Sequence, residues 1–320
     1  MTAFSVFEIC AGAGGQALGL ERAGFEHAAA VEIEPIACET LLTNRPDWNV
    51  INRDVRSVSG AAYKGVDLLA GGVPCPPFSV ASRQLGADDD RDLFPAALDL
   101  VSEVQPRAVM LENVPGLSSA RFDDYRSGVK AKLAKMGYLS FWDTLNASDY
   151  GVPQLRPRFI LIALKRSLAG EFSWPESRGS APTVGETLLP LMSERGWTGA
   201  TQWAEKANRI APTLVGGSKL HGGPDLGPTR ARRQWLDLGV DGRGLADAPP
   251  GPAFDVDGLP RLTVPMAALI QGFPATWKFA GRKTAAYRQV GNAFPPPVAE
   301  AVGRAILKAL RAKVPVTRTA

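Results

Sequence analysis

The chain has 320 residues, 45% of them hydrophobic and 21% charged, which supplies a large core and room for two domains and excludes a disordered chain. No apolar run reaches membrane-spanning length, and the start Met1-Thr-Ala-Phe-Ser-Val-Phe lacks the features of a signal peptide, so a cytoplasmic protein is expected. Cys10, Cys38 and Cys75 form no C-x-x-C pair and only His27 and His221 accompany them, which argues against a disulfide framework and a metal site; the net charge of +4 is compatible with a polyanionic partner without demanding one.

Phe4-Ser-Val-Phe-Glu-Ile9 alternates like a strand, and the glycine-rich stretch Cys10 to Gly19 opens into a helix that runs to Ala23 and stops at Gly24. With the strand Ala28 to Glu32 this makes one right-handed βαβ unit over a parallel sheet. Gly12-x-Gly14-x-x-Ala17, with Glu32 about twenty residues on, fits a loop that binds a nucleoside cofactor, either NAD or S-adenosylmethionine. Ile33 to Asn44 reads as a second helix and Asn49-Val-Ile51 as a strand ending near Asp54. That carboxylate suits an exocyclic amine, or caps the next turn.

Val66-Asp-Leu-Leu-Ala70 reads as a buried strand that delivers the chain to Gly71-Gly-Val-Pro-Cys-Pro-Pro-Phe-Ser79. Pro74, Pro76 and Pro77 fix φ and remove donors, so Cys75 is held stiffly, either as a nucleophile or as a small buried residue at the end of a strand. The polar stretch from Ser82 to Asp92 reads as a lid or a linker, and Leu93 to Val104 as a helix. Arg107 to Leu111 reads as a strand with Glu112-Asn-Val114 at its end, which would set an acid beside a thiol. A helix from Asp123 to Met136 and a strand from Leu139 to Leu145 follow. Alternation then points Gln154, Arg156 and Arg158 to one face ahead of an apolar strand.

In this order, the loop Ala11-Gly-Ala-Gly-Gly15, Val31-Glu32, Asp54, Gly72-Val-Pro-Cys-Pro-Pro-Phe-Ser79, Glu112-Asn-Val114, Gln154-x-Arg156-x-Arg158, Arg261-Leu-Thr263, Gln271-Gly-Phe-Pro274 and Gln289-Val-Gly-Asn-Ala-Phe-Pro295 resemble the motif series of bacterial-type DNA (cytosine-5)-methyltransferases. The resemblance implies an α/β fold: a doubly wound, mostly parallel, Rossmann-like sheet with a smaller irregular target-recognition domain. Its boundaries are expected at 1–164 for the catalytic and S-adenosylmethionine-binding domain, 165–260 for target recognition, and 261–320 for a segment returning to the catalytic domain. It departs from the family at Cys10, where an aromatic residue usually covers the cofactor's adenine, and at Met266 and Leu269, where Glu and Arg are frequent.

The resemblance further implies that Cys75 adds to C6 of a flipped-out cytosine in duplex DNA, that Glu112 protonates N3, and that Arg156 holds O2 with Arg158 and Gln154 in support. Ala11, Gly12, Gly14, Gly15, Glu32, Asp54, Pro74, Leu93, Asn292 and Ala293 would hold S-adenosylmethionine. Ser79 and Ser82 would contact phosphates. Between Lys165 and Pro260 the βα rhythm stops, Trp197, Trp203 and Trp235 appear, and basic residues cluster at Arg230, Arg232 and Arg233, as suits major-groove reading. Thr213 and Leu214 match the family's recognition element, with Ser218, Lys219 and His221 as neighbouring candidates for base contacts. A monomer with neither membrane nor metal is expected, in restriction-modification or host DNA protection, with a cognate restriction endonuclease acting on the same site without a stable complex. An NAD oxidoreductase leaves Cys75, Glu112 and the arginines without roles. Two further alternatives are a tRNA methylase, disfavoured by the long insertion, and an inactive DNA-binding relative, disfavoured by Cys75 and Glu112.

Overall fold

Along each central strand, side chains alternate between two buried layers, so both faces of the sheet carry helices. The computed structural model describes residues 3–73, 92–217 and 225–312. Seven strands form one sheet: β1 (Phe4–Ile9), β2 (Phe25–Glu32), β3 (Val50–Asn52), β4 (Leu68–Gly72), β5 (Ala108–Asn113), β6 (Tyr138–Asn146) and β7 (Pro157–Lys165). Their spatial order is β3-β2-β1-β4-β5-β7-β6. The first five run parallel, whereas β7 pairs antiparallel with both β5 and β6. The order reverses between β1 and β4, where open α/β sheets bind ligands.

On one face, Val6, Leu68, Ala70, Met110, Ile160 and Ile162 pack under α1 (Gly15–Ala23) and the C-terminal helix. On the other, Phe7, Leu69, Val109, Leu111 and Leu161 meet α3 (Phe94–Val104) and α4 (Asp123–Lys135), while α2 (Pro35–Asn44) links β2 to β3. The observed β4 and β5 lie one or two residues further along than the sequence predicts. Glu112 is therefore the penultimate residue of β5, paired in register with Gly72.

After β7 come a short α5 (Arg166–Ala169), then α6 (Val184–Ser193), α7 (Ala200–Lys206) and α8 (Thr229–Asp237). Three helices close the described chain: α9 (Val264–Ile270), α10 (Lys283–Asn292) and α11 (Pro296–Arg311). A third core joins Val184, Leu188, Trp197, Trp203 and Trp235 of the insertion to Leu262, Met266, Phe273, Tyr287 and Val290. Residues 262–293 thus share the insertion's core, while Phe294 and α11 pack on the sheet. Leu168, Ala169, Phe172 and Trp174 still pack on the sheet, so the new core begins later than residue 165. At Met266 the glutamate expected of a capping box is replaced by a thioether. The Thr263 N–H donates to Met266 Sδ at 3.4 Å, and the Met266 N–H donates to Thr263 Oγ1 at 3.3 Å.

Helices α1 and α11 touch through Gly19. A Cβ there would stand 2.4 Å from both Ala299 Cβ and the Pro296 carbonyl oxygen, far inside van der Waals contact. Gly19→Ala is expected to cost roughly 1–3 kcal/mol, an overpacking penalty against backbone that cannot step aside. Thermal unfolding measures it, and an unchanged Tm would show that the helices part freely.

Candidate active site

The chain leaves β1 through three left-handed residues, Cys10 (φ +50°), Gly12 (+56°) and Gly14 (+85°), and enters α1. Their roles differ. A Cβ on Gly12 would meet nothing within 4 Å, because this residue lines open cavity; Gly14 backs onto Leu41 and Trp277 and Gly15 onto the Phe294 carbonyl. Gly14 therefore shapes the turn rather than bordering either of the two cavities described below.

Glu32 ends β2, buried, and its carboxylate accepts from the Gly12 N–H at 2.7 Å and the Glu34 N–H at 2.8 Å. Burial raises its pKa while these two N–H groups work the other way. Asp54 caps the turn Val55–Ser57 and is paired with Arg56 at 2.5 Å, which lowers its pKa. Both readings of Asp54 meet here, since it also borders the cavity with Leu93, Val31, Ile33 and Val55. Cys10 shares that wall, and burial, with the carboxylates of Glu32 and Asp54 adding, pushes its thiol up to about 12.

Two cavities, about 910 and 370 Å³, share Cys10, Gly12, Glu32, Gly72, Glu112 and Asn292 as wall residues. Ala11, Gly15 and Ala293 line the smaller one. Glu112 faces the junction, and its Oε1 is 2.7 Å from Arg158 Nε. Burial raises the Glu112 pKa, opposed by the charges of Arg158 and Arg156. The Val73 N–H donates to the Glu112 carbonyl at 3.2 Å, so the chain leaves β4 beside this carboxylate. Pro74, Cys75, Ser79 and Ser82 follow and lie outside the described residues, as do Ser218, Lys219 and His221.

The other members of the expected one-face triad part company. Gln154 is 0% exposed and its polar atoms are paired within the protein: its amide nitrogen donates to Gln271 Oε1 (2.8 Å) and the Ile270 carbonyl (3.2 Å), and its oxygen accepts from the Leu214 N–H (2.8 Å). Arg156 is 1% exposed and spends its Nη groups on the carbonyls of Leu214 (2.7 Å), Gly291 (2.8 Å) and Ala293 (3.1 Å) and on Gln154 Oε1 (3.4 Å). Burial lowers its pKa, with the Arg158 charge adding. Arg158 alone is paired with the candidate acid. Leu214 is likewise buried, whereas Thr213, half-buried, lines the larger cavity and its Oγ1 donates to the Leu155 carbonyl at 2.5 Å. Arg230 and Arg233 are exposed on α8, whereas Arg232 packs on Gly242.

Asn292 borders both cavities and donates to the Gly217 carbonyl at 3.2 Å. Gln16 and Arg288, which the sequence reading passed over, line the smaller cavity; an uncharged Gln behind a glycine turn carries no motif signal.

The pattern of C-5 cytosine-specific DNA methylases matches residues 4–308. The chain is 59% identical over 314 residues to Type II methyltransferase M.NaeI of Lentzea aerocolonigenes, covering 97% of this chain and 76% of that protein. It is 55% identical over 317 residues to Type II methyltransferase M.NgoMIV of Neisseria gonorrhoeae, covering 96% and 98%. The fold is similar to that of a crystal structure described as a prophage-encoded DNA modification methyltransferase from E. coli, with a TM-score of 0.69 at 24% identity over 97% of this chain and all of that one. No helix of the described residues is long and apolar enough to cross a membrane, and no cluster of metal-ligating side chains occurs among them. With the motif order, the seven-stranded sheet and these matches in agreement, the chain belongs to the C-5 cytosine-specific DNA methylase family.

Proposed function

We propose that this protein methylates C5 of a flipped-out cytosine at a specific site in duplex DNA, through a covalent adduct with Cys75 and with S-adenosylmethionine as methyl donor. The observation that carries this reading is the Glu112–Arg158 pair at the carboxyl end of β5, beside the exit of β4 and at the junction of two cavities. The residues fit the donor. A carboxylate anchored at the end of β2 suits a ribose diol, apolar side chains suit a purine, and Gly12 leaves open space where a side chain would intrude. Bound there, the donor supplies an electrophilic methyl group.

Cytosine C5 is too electron-poor to attack a methyl group unaided. The Cys75 thiolate adds to C6 while Glu112 gives its proton to N3, which turns C5 into an enamine carbon; after methylation, water or hydroxide takes the C5 proton, Cys75 departs as thiolate, and the N3 proton returns to Glu112, which restores the ring. Arg158, rather than Arg156, is the suitable donor to cytosine O2, because the Arg156 Nη groups are committed to backbone and Gln154. Such chemistry needs the base outside the duplex, at a cost of a few kcal/mol in unstacking. The relatives M.NaeI and M.NgoMIV are Type II methyltransferases, which supports a restriction-modification setting. In this reading the protein is a cytoplasmic monomer acting on the site that a cognate endonuclease shares.

Duplex DNA containing 5-fluorocytosine tests this directly, since fluorine cannot leave C5 as a proton does. With donor present, a denaturation-resistant complex is expected for the wild type and none for Cys75→Ser; a complex on tRNA but not on any duplex would transfer the activity to RNA.

Glu112 provides a second test. A group whose folded pKa is raised keeps its proton into higher pH, so single-turnover rate should fall on the alkaline side as pH rises through that raised pKa. Glu112→Gln should abolish this descending limb and lower the rate by roughly 10²–10⁴ with DNA affinity nearly unchanged. A variant that keeps full rate would remove Glu112 as the acid.

A further inference from the structure

Asp241, in the turn after α8, is a buried carboxylate that carries two exposed arginines. It is 9% exposed, and both of its oxygens are occupied. Oδ1 accepts from the Arg243 N–H (3.1 Å) and Nε (2.8 Å), and Oδ2 from Arg243 Nη2 (3.2 Å) and Arg261 Nε (2.9 Å). The hydrogen bonds from the Arg243 side chain lead in holding this carboxyl well below its usual range. The two arginine side chains are 74% and 46% exposed. Exposed ion pairs contribute little to stability and a buried carboxylate costs free energy, so stability alone gives no reason for the arrangement. What it supplies is direction. Asp241 engages the side-on edge of the Arg243 guanidinium, Nε and Nη2. That leaves the end-on edge pointing away from the carboxylate, where Nη1 has no partner among the described residues and Nη2 keeps a second N–H.

The turn that carries Arg243 adjoins the larger cavity. The Gly242 carbonyl accepts from the Leu226 N–H at 3.0 Å, and a Cβ on neighbouring Gly227 would stand 3.4 Å from Val215, a wall residue of that cavity. Arg232 packs on Gly242, which brings α8 with its exposed Arg230 and Arg233 to the same turn. A phosphate takes donors from many directions, and unbraced arginines such as those on α8 meet that need. A guanidinium fixed in plane with two parallel donors matches instead O6 and N7 on the major-groove edge of guanine. We propose that Arg243, oriented by Asp241 with Arg261 on the second oxygen, reads one guanine of the recognition site and so sets sequence specificity. The inference rests on the duplex-DNA reading above, and adds to it the base that this turn selects.

The test measures kcat/KM for methylation by the full chain on its own site, located by sequencing 5-methylcytosine, with each guanine replaced in turn by 7-deazaguanine. That base pairs normally and lacks N7. Wild type should lose roughly tenfold or more at the guanine that Arg243 reads. Arg243→Lys keeps the charge without the paired donors. It should lose a similar factor on the unmodified site and show no further loss at that guanine, while any other sensitive guanine keeps its effect. Asp241→Asn, checked by thermal unfolding, should blunt the same position and no other; if it unfolds, Arg243→Lys on an exposed side chain decides alone. Uniform loss by Arg243→Lys with the 7-deazaguanine pattern intact would make Arg243 a phosphate contact, and an unchanged rate would leave it without a contact; either result overturns the proposal. Wild-type protein that methylates no duplex would overturn the DNA reading, and this inference with it.

Discussion

A buried guanidinium ties the approach to β7 to two distant stretches of the chain. Arg156 precedes β7, yet its Nη groups reach the 211–217 strap through Leu214 and the end of α10 through Gly291 and Ala293. Removing a cation from water costs several kcal/mol, and only acceptors placed around it, with the charge of Glu112 nearby, offset that cost. The arrangement is stiffened by Gln154, Gln271 and the Ala293 carbonyl, and by the backbone contact of Gly291 with Gly216, where no Cβ would fit. Leu214, Gly216, Asn292 and Ala293 are all cavity walls. Cavity shape therefore depends on a residue that the substrate need never touch.

Around that frame, burial sorts the titratable groups. Glu112 and Glu32 have raised pKa values because both sit in desolvated walls, but only Glu112 faces an arginine pair that could support proton transfer. The Cys10 thiol is pushed up to about 12 and Cys38 to about 11, so neither gives a thiolate at neutral pH.

Much of the molecule was legible in the sequence, for physical reasons. Glycines at Gly12 and Gly14 mark left-handed backbone, apolar runs mark buried strands, and Glu32 and Glu112 fall at strand ends because a doubly wound sheet collects its ligands there. What escaped were matters of contact. Alternation assigned Gln154, Arg156 and Arg158 to one face, but two of the three lie before β7, where period-two logic does not hold. Nor could local pattern tell that Leu262 to Ala293 would join the insertion's core, since that depends on long-range packing of Trp203, Trp235 and Tyr287. Gln16 has no pattern at all; it stands out only through an amide that is buried and unpaired among the described residues.

The shared third core bears on how such a protein could change its target during evolution. If the region after β7 were a self-contained insertion, exchanging residues 165–260 between relatives would exchange specificity. Here the interior of that region is completed by α9 and α10, and its strap is fastened to α10 by the Asn292–Gly217 hydrogen bond. A recombination event that moved the insertion without the stretch to Ala293 would graft half a hydrophobic interior onto a foreign half. The packing unit is therefore longer than residues 165–260, running from beyond Trp174 to the start of α11, and crossovers should survive at its two ends rather than within it.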